Sequence, residues 1–290
     1  MSGRQAILLL VHKHPGQVAR LIERLRHPDV DLFIHVDAKV DRTPFEYPGV
    51  EHLDRRFEIC WAGFGCIRAS LHWFRALSEG RRHSRFTILS GQDYPLRPVS
   101  EIVESFDRLD GECIDLSWGG EDRRYRYEVF WTYPQELPFL RGAVDRILRR
   151  FWYRHHHWRR LPPGLEFACG SAFWSLSDQG VACILDRVAR EPKLVRFFEN
   201  TFASDEMFFH MLLWNSPLRG RIVPARHYID WTLRLEHPKT LGTEDLDAMQ
   251  SSGASFARKF EPDAPVLDEL DRISGWNGAS SSPNDLRKPF

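Results

Sequence analysis

The sequence predicts an α/β protein: a largely parallel sheet flanked by helices, in one domain with an elaborated C-terminal part. Three observations predict it. Apolar runs alternate with stripes of helical period through the N-terminal part, glycine, proline and aspartate punctuate them, and polar residues collect just past the runs. In sheets of this kind ligands bind beyond the carboxyl ends of the strands.

The elements follow in order. AILLLVH from Ala6 reads as a buried strand, and PGQVARLIERLR follows it as a helix with Val18, Leu21, Ile22 and Leu25 on one face behind a helix-starting proline. LFIHVD is the second strand. ICWAGFGCIRASLHWFRAL gives a strand end, a glycine-containing loop and a helix striped by Ile67, Leu71, Phe74 and Leu77, and FTILSGQDYP is a third strand running into a turn. VSEIVESF reads as a helix and ECIDLS as a strand. After about residue 120 come arginine-rich aromatic sequence, the strand FWSLS, two helices, and HYIDW as a last strand. These are read as one domain over residues 1–274, with a polar Ser/Pro/Asn-rich tail over 275–290 that is expected to be disordered. The strand ends place His12, His14, Asp37, Asp93 and Trp118 where a ligand would sit.

Composition removes several function classes. Forty basic residues balance forty acidic ones, which argues against a partner held by bulk charge such as nucleic acid. The first apolar run is too short for a secretory signal and no later run approaches a membrane span, so a soluble, unexported protein is expected. Five cysteines with no CxxC pair fit reduced thiols rather than a zinc or disulfide framework. There is no GxGxxG, GxxxxGKS/T, GxSxG or HExxH, so dinucleotide, P-loop, serine-hydrolase and zincin readings lose their support. An Asp-x-Asp of the metal-holding kind occurs at Asp29 to Asp31, but ahead of its strand and so at the wrong end of the sheet.

The stretch TFASDEMFFHMLLWNSP sets Asp205 and Glu206 in front of a segment apolar on almost every face. One reading has Ser204, Asp205 and Glu206 capping a buried helix and complementing its dipole. The other has one carboxylate capping while its neighbour projects into a cleft as a general base, sheltered from water and within reach of a hydroxyl. A carboxylate pair flanking a glycosidic bond is disfavoured, because adjacent residues at a helix start diverge by about 100°.

The blocks VHKHP, FIHVD, LSGQDYPL, CGSAFWSLS, FFENTFASDEMFF, NSP, YIDW, HPKTL and FARKFE occur in this order. In them the chain resembles the core-2/I-branching β-1,6-N-acetylglucosaminyltransferases of glycosyltransferase family 14, which also contains peptide O-xylosyltransferases. The resemblance runs from about Ala6 to about Asp271. It implies a GT-A-like (Rossmann-like) fold and inverting transfer of a sugar, GlcNAc or xylose, from a UDP-sugar to a glycan or lipid-linked acceptor, with no metal site and no cofactor. It implies Glu206 as the catalytic base and places Asp37, Trp61 and Val11 beside the uridine. Lys259 and Lys239 would meet the diphosphate, Lys239 standing where the branching enzymes carry arginine, and Glu128 and Trp231 would line the acceptor and donor pockets. A module that kept the fold and binds sugar or nucleotide without turnover is the alternative.

Two features depart from the family. The chain shows neither its membrane anchor and stem nor its lumenal cysteine set, which fits a bacterial-type, cytoplasmic member. The segment from Arg141 to Arg160 interleaves arginines with Phe151, Trp152, Tyr153 and Trp158. It reads either as a contact with the inner face of the membrane or as a solvated helix covering the core.

Overall fold

The computed structural model describes residues 3–78, 83–116, 124–128, 131, 159–233 and 237–276. Trp118, most of the Arg141 to Arg160 segment and nearly all of the tail expected to be disordered lie outside them.

Arg4–Val11 forms strand β1. Ile7, Leu9 and Val11 enter one apolar core and Ala6 and Leu8 another, so the strand is covered on both faces and must be apolar throughout. Pro15–Leu25 (α1) buries Val18, Leu21, Ile22 and Leu25 on the first of these faces. Val30–Val36 (β2) pairs in parallel with β1, and Glu51–His52 (β3) extends the sheet beyond it. Gly65–Ser78 (α2) covers the opposite face with Ile67, Leu71, Phe74 and Leu77 before His83–Ser90 (β4) pairs in parallel with the other side of β1.

The chain then leaves the main sheet. Asp93–Pro95 forms β5, Val99–Asp107 helix α3, Glu112–Ile114 β6 and Tyr125–Glu128 the four-residue α4. Trp174–Ser177 (β7) inserts antiparallel between β4 and β6. Asp178–Arg190 (α5), Pro192–Glu199 (α6) and Phe208–Trp214 (α7) follow, with a 3-10 turn over Ser204–Glu206 between the last two. Ile222–Val223 (β8) closes the main sheet, and His227–Ile229 (β9), Leu246–Ser251 (α8), Phe256–Arg258 (β10) and Pro265–Ile273 (α9) complete the described elements.

Seven strands thus lie in the order β3-β2-β1-β4-β7-β6-β8, all parallel except β7, and three more form a second sheet in the order β5-β10-β9. The parallel, helix-flanked sheet expected from the sequence is present. ICWAG holds no strand end, and three helices rather than two lie between β7 and β9. Three further details differ from that expectation. FTILSGQDYP divides between two sheets at the Gly91–Gln92 turn, so Asp93 opens β5 rather than ending β4. HYIDW is not the last strand, because Phe256–Arg258 pairs in parallel with it and antiparallel to β5. Ser204 caps no helix: Ala203 has a left-handed backbone (φ 49°), Met207 departs from helical geometry, and α7 starts only at Phe208.

The far end of the chain is tied to its beginning. Asp271 of α9 accepts hydrogen bonds from Arg20 and Arg24 of α1 and from the Tyr94 hydroxyl of β5. The second sheet is thereby held against the main one, beyond the carboxyl ends of β1, β2 and β4. Among the described residues no helix is long and apolar enough to cross a membrane.

Candidate active site at the carboxyl edge of the sheet

Strand ends expose backbone groups that need partners, and here they bind one another. The Asp37 N–H donates to the Val11 carbonyl at 2.9 Å, and Gly91 N–H to the Leu10 carbonyl at 3.2 Å. A Cβ on Gly91 would stand 2.9 Å from Val18 and 3.4 Å from Val11, so this position needs glycine for the three ends to meet. The Asp37 carboxylate accepts from Lys39 N–H at 2.9 Å and from Ile59 N–H at 3.3 Å, and Lys39 Nζ lies 3.4 Å away. This aspartate, nearly fully buried, staples the loop carrying Trp61 onto the end of β2. Trp61 itself is 63% exposed and Trp231 49%, which rules out for both the core role that is tryptophan's usual fate.

From Trp61 the contacts continue to the carboxylates. Ala203 N–H donates to the Ala62 carbonyl at 2.8 Å, and the Trp61 ring meets Phe202 edge-on with centroids 5.6 Å apart. On its other side the turn is held by Gly170, whose N–H donates to the Glu206 carbonyl at 2.9 Å. Gly170 is pressed between Asp115 and His210, since a Cβ would fall 1.7 Å from the Asp115 carbonyl oxygen. The Ser204–Glu206 turn is therefore hung by backbone bonds between the loop after Asp37 and the entry to β7, both at the carboxyl edge.

The two carboxylates differ. Glu206 Oε2 accepts from Arg126 Nη1 at 2.5 Å, while Oε1 has no hydrogen-bond partner among the described residues and the side chain as a whole is 32% exposed. Asp205 has a buried Oδ1 with no partner. Loss of water around this carboxyl, with the negative Glu206 next to it, pushes its pKa up to about 7. The folded state then keeps a proton that the unfolded chain releases near the ordinary carboxylate value, so stability falls as pH rises between about 4 and about 7. Asparagine mimics the protonated form and is free of this penalty. Thermal melts should show Asp205→Asn gaining on the parent between pH 5 and pH 8; an equal difference at both pH values would refute this ionisation.

A second polar group sits where the two sheets join. Asp93, fully buried, accepts from Ser90 N–H, stands 3.4 Å from Arg258 Nη1 and 3.9 Å from His227 Nε2, and is pushed up to about 6 by burial. Arg258 stacks on Phe173 with 4.0 Å between guanidinium carbon and ring centroid. The next residue is Lys259, half-buried and without an ion pair among the described residues. Its carbonyl accepts Leu241 N–H at 2.9 Å, which brings the Lys239 segment alongside. Lys239, by contrast, is engaged: its ammonium lies 2.6 Å from Asp245 and 3.6 Å from Glu244. Trp231 follows β9, Lys239 N–H donates to the Asp230 carbonyl at 2.8 Å, and His237 meets Trp61 edge-on at 6.4 Å.

The residues singled out in the sequence are linked along one edge by these contacts: Val11, Asp37, Trp61, Glu206, Trp231, Lys239 and Lys259. Glu128 joins them through α4, two residues from Arg126. The Asp29 to Asp31 pair stays at the amino end, where Asp31 binds Arg4 at 2.6 Å and His83 at 2.9 Å. Sequence reasoning missed Arg126 and Arg258. Their only signals were position, Arg126 two residues before Glu128 and Arg258 directly before Lys259.

The mostly parallel, helix-flanked sheet defines an α/β protein, and the comparisons narrow it. The family model described as Core-2/I-Branching enzyme matches residues 6–252, and the chain belongs to that family. It is 27% identical over 275 residues to the beta-glucuronosyltransferase GlcAT14A of Arabidopsis thaliana, covering 87% of this chain and 60% of the relative. To xylosyltransferase 1 of Rattus norvegicus it is 25% identical over 315 residues, covering 97% of this chain and 36% of the relative. The chain thus spans 36% to 60% of these two relatives' lengths. Among solved structures, a galactosyltransferase LgtC in complex with donor and acceptor sugar analogs aligns over 98% of this chain with a TM-score of 0.45 and 9% identity.

Proposed function

We propose that the chain is a glycosyltransferase that moves a sugar from a UDP-sugar to an acceptor hydroxyl with inversion and without a metal ion, Glu206 serving as general base. The observation that carries this reading is the part-exposed Glu206 carboxylate, fixed through one oxygen and without a partner at the other among the described residues, at the strand edge that also holds Asp37 and Lys259. The acceptor hydroxyl approaches Oε1 and gives it a proton as the new oxygen–carbon bond forms at the anomeric centre. The bond from that carbon to the β-phosphate oxygen breaks on the opposite side, which inverts the centre, and UDP leaves with the electron pair toward Lys259. Val11, Asp37 and Trp61 hold the uridine side, and Glu128 and Trp231 the sugar and acceptor side.

The absence of a metal from this scheme is supported by how the acidic side chains are used. Asp31 is consumed by Arg4 and His83, and Asp37 by two backbone N–H groups and Lys39. Activity is therefore expected to survive EDTA; loss on chelation and recovery with Mn²⁺ would overturn this part of the proposal. The names of the relatives set two donors to try, UDP-xylose and UDP-glucuronic acid, and the resemblance seen in the sequence adds UDP-N-acetylglucosamine. UDP release with mixed glycan acceptors tests the whole reading. Donor-dependent stabilisation without UDP release would favour a non-catalytic nucleotide-sugar module instead, since a ligand at 100 times its Kd raises stability by about 2.7 kcal/mol.

A further inference from the structure

Helix α4 is only four residues long, too short to hold its own shape, so its position is set by what it binds. Arg126 supplies two of those ties. Its carbonyl accepts Phe202 N–H at 3.0 Å, and its guanidinium donates to Glu206 Oε2 at 2.5 Å. The end of the helix is fixed by Arg159, whose N–H donates to the Glu128 carbonyl at 3.2 Å while its guanidinium donates to the Asn200 and Phe197 carbonyls. The Arg126 side chain is 14% exposed, and its Nε is buried without a partner. A guanidinium so enclosed cannot give up its counter-ion cheaply, and no other cation among the described residues lies within ion-pair distance of Glu206.

We propose that Arg126 is a positioning residue for the general base: it occupies Oε2 and holds the carboxylate plane so that Oε1 is presented to the acceptor hydroxyl. Two further consequences follow from the geometry. The bond to Phe202 fixes the same arginine to the segment that leads into the Ser204–Glu206 turn, so base and helix move as one unit. Glu128, on the same short helix, is held in register with the base, which couples acceptor placement to proton acceptance.

This inference rests on the function proposed above, and its test separates the two. The measurement is a double-mutant cycle on UDP release, using whichever of UDP-xylose, UDP-glucuronic acid or UDP-N-acetylglucosamine serves best, with mixed glycan acceptors. Arg126→Gln is expected to lower kcat roughly 10- to 100-fold, the cost of a base misplaced by about an ångström, with donor KM little changed. Arg126→Lys, which keeps the charge but not the fork, should fall between parent and glutamine variant. In a Glu206→Gln background the same changes should alter the residual rate by less than about threefold, because the carboxylate they orient is gone. Equal fold losses in both backgrounds, or a glutamine variant as fast as the parent, would overturn the inference while leaving the function standing. If Arg126→Gln does not fold, the cycle run with Arg126→Lys carries the same two outcomes. A Glu206→Gln enzyme as active as the parent would overturn the base assignment and this inference with it.

Discussion

Glu206→Gln is expected to lower turnover by roughly 10² to 10⁴ while UDP binding stays near the parent value. Glutamine keeps the shape and can still accept from Arg126, so the turn hung between Ala62 and Gly170 should not move. What is lost is a group able to take the acceptor's proton. UDP release and UDP titration on the purified variant check both halves. Near-parental turnover would remove Glu206 from the chemistry. Equal loss of turnover and UDP affinity would mean that the substitution had disturbed the site rather than the proton transfer.

Lys259→Ala is expected to weaken UDP binding by about ten- to a hundredfold and to lower turnover by more. A charge-assisted contact to phosphate contributes about 1.5 to 3 kcal/mol in the ground state, and more as negative charge builds on the leaving group. Lys259 is suited to this because no carboxylate among the described residues competes for its ammonium. Lys239 offers the contrast. Its ammonium is already bound by Asp245, which also accepts Gly242 N–H at 3.0 Å, so Lys239→Ala should loosen that loop and lower the melting temperature more than it affects UDP affinity. Equal losses of UDP affinity in the two variants would show that Lys239 leaves Asp245 to meet the phosphate.

The central strands of the main sheet were legible because their signals are long, whereas β3 and β8, of two residues each, were not. The seven residues of β2, and helices such as α1 and α2 with four apolar positions in register, repeat their period often enough to be read. Of the second sheet only β9 was read as a strand, within HYIDW; the sheet itself was hidden, because its three strands have three residues each and one of them, Asp93–Pro95, ends in a proline that reads as a turn. The direction of β7 was equally hidden: parallel and antiparallel partners leave the same apolar run in a buried strand. At the site, Glu206 stood out as a charge within an apolar stretch, but the geometry around it did not. The run from Met207 to Trp214, apolar on almost every face, suggested a buried helix beginning at the carboxylates, whereas the left-handed Ala203 and the break at Met207 turn them out ahead of it. Arg126 was invisible for a different reason. In a chain with forty basic residues, an arginine gains meaning only from its partner.

The turn that presents Glu206 is suspended by the amides of Ala203 and Gly170 from the carbonyl of Ala62 and by its own carbonyl, with Gly170 alone tied to its identity by crowding. Main-chain suspension makes the site tolerant of change in its decoration. The exposed Trp61 and Trp231 can be exchanged without cutting any of these backbone bonds, whereas Phe202, stacked on Trp131 with centroids 4.3 Å apart, packs the segment ahead of the turn. On the function proposed above, libraries aimed at new acceptors should vary Trp231, on the sugar and acceptor side, and leave Gly170 and the uridine-side Trp61 alone.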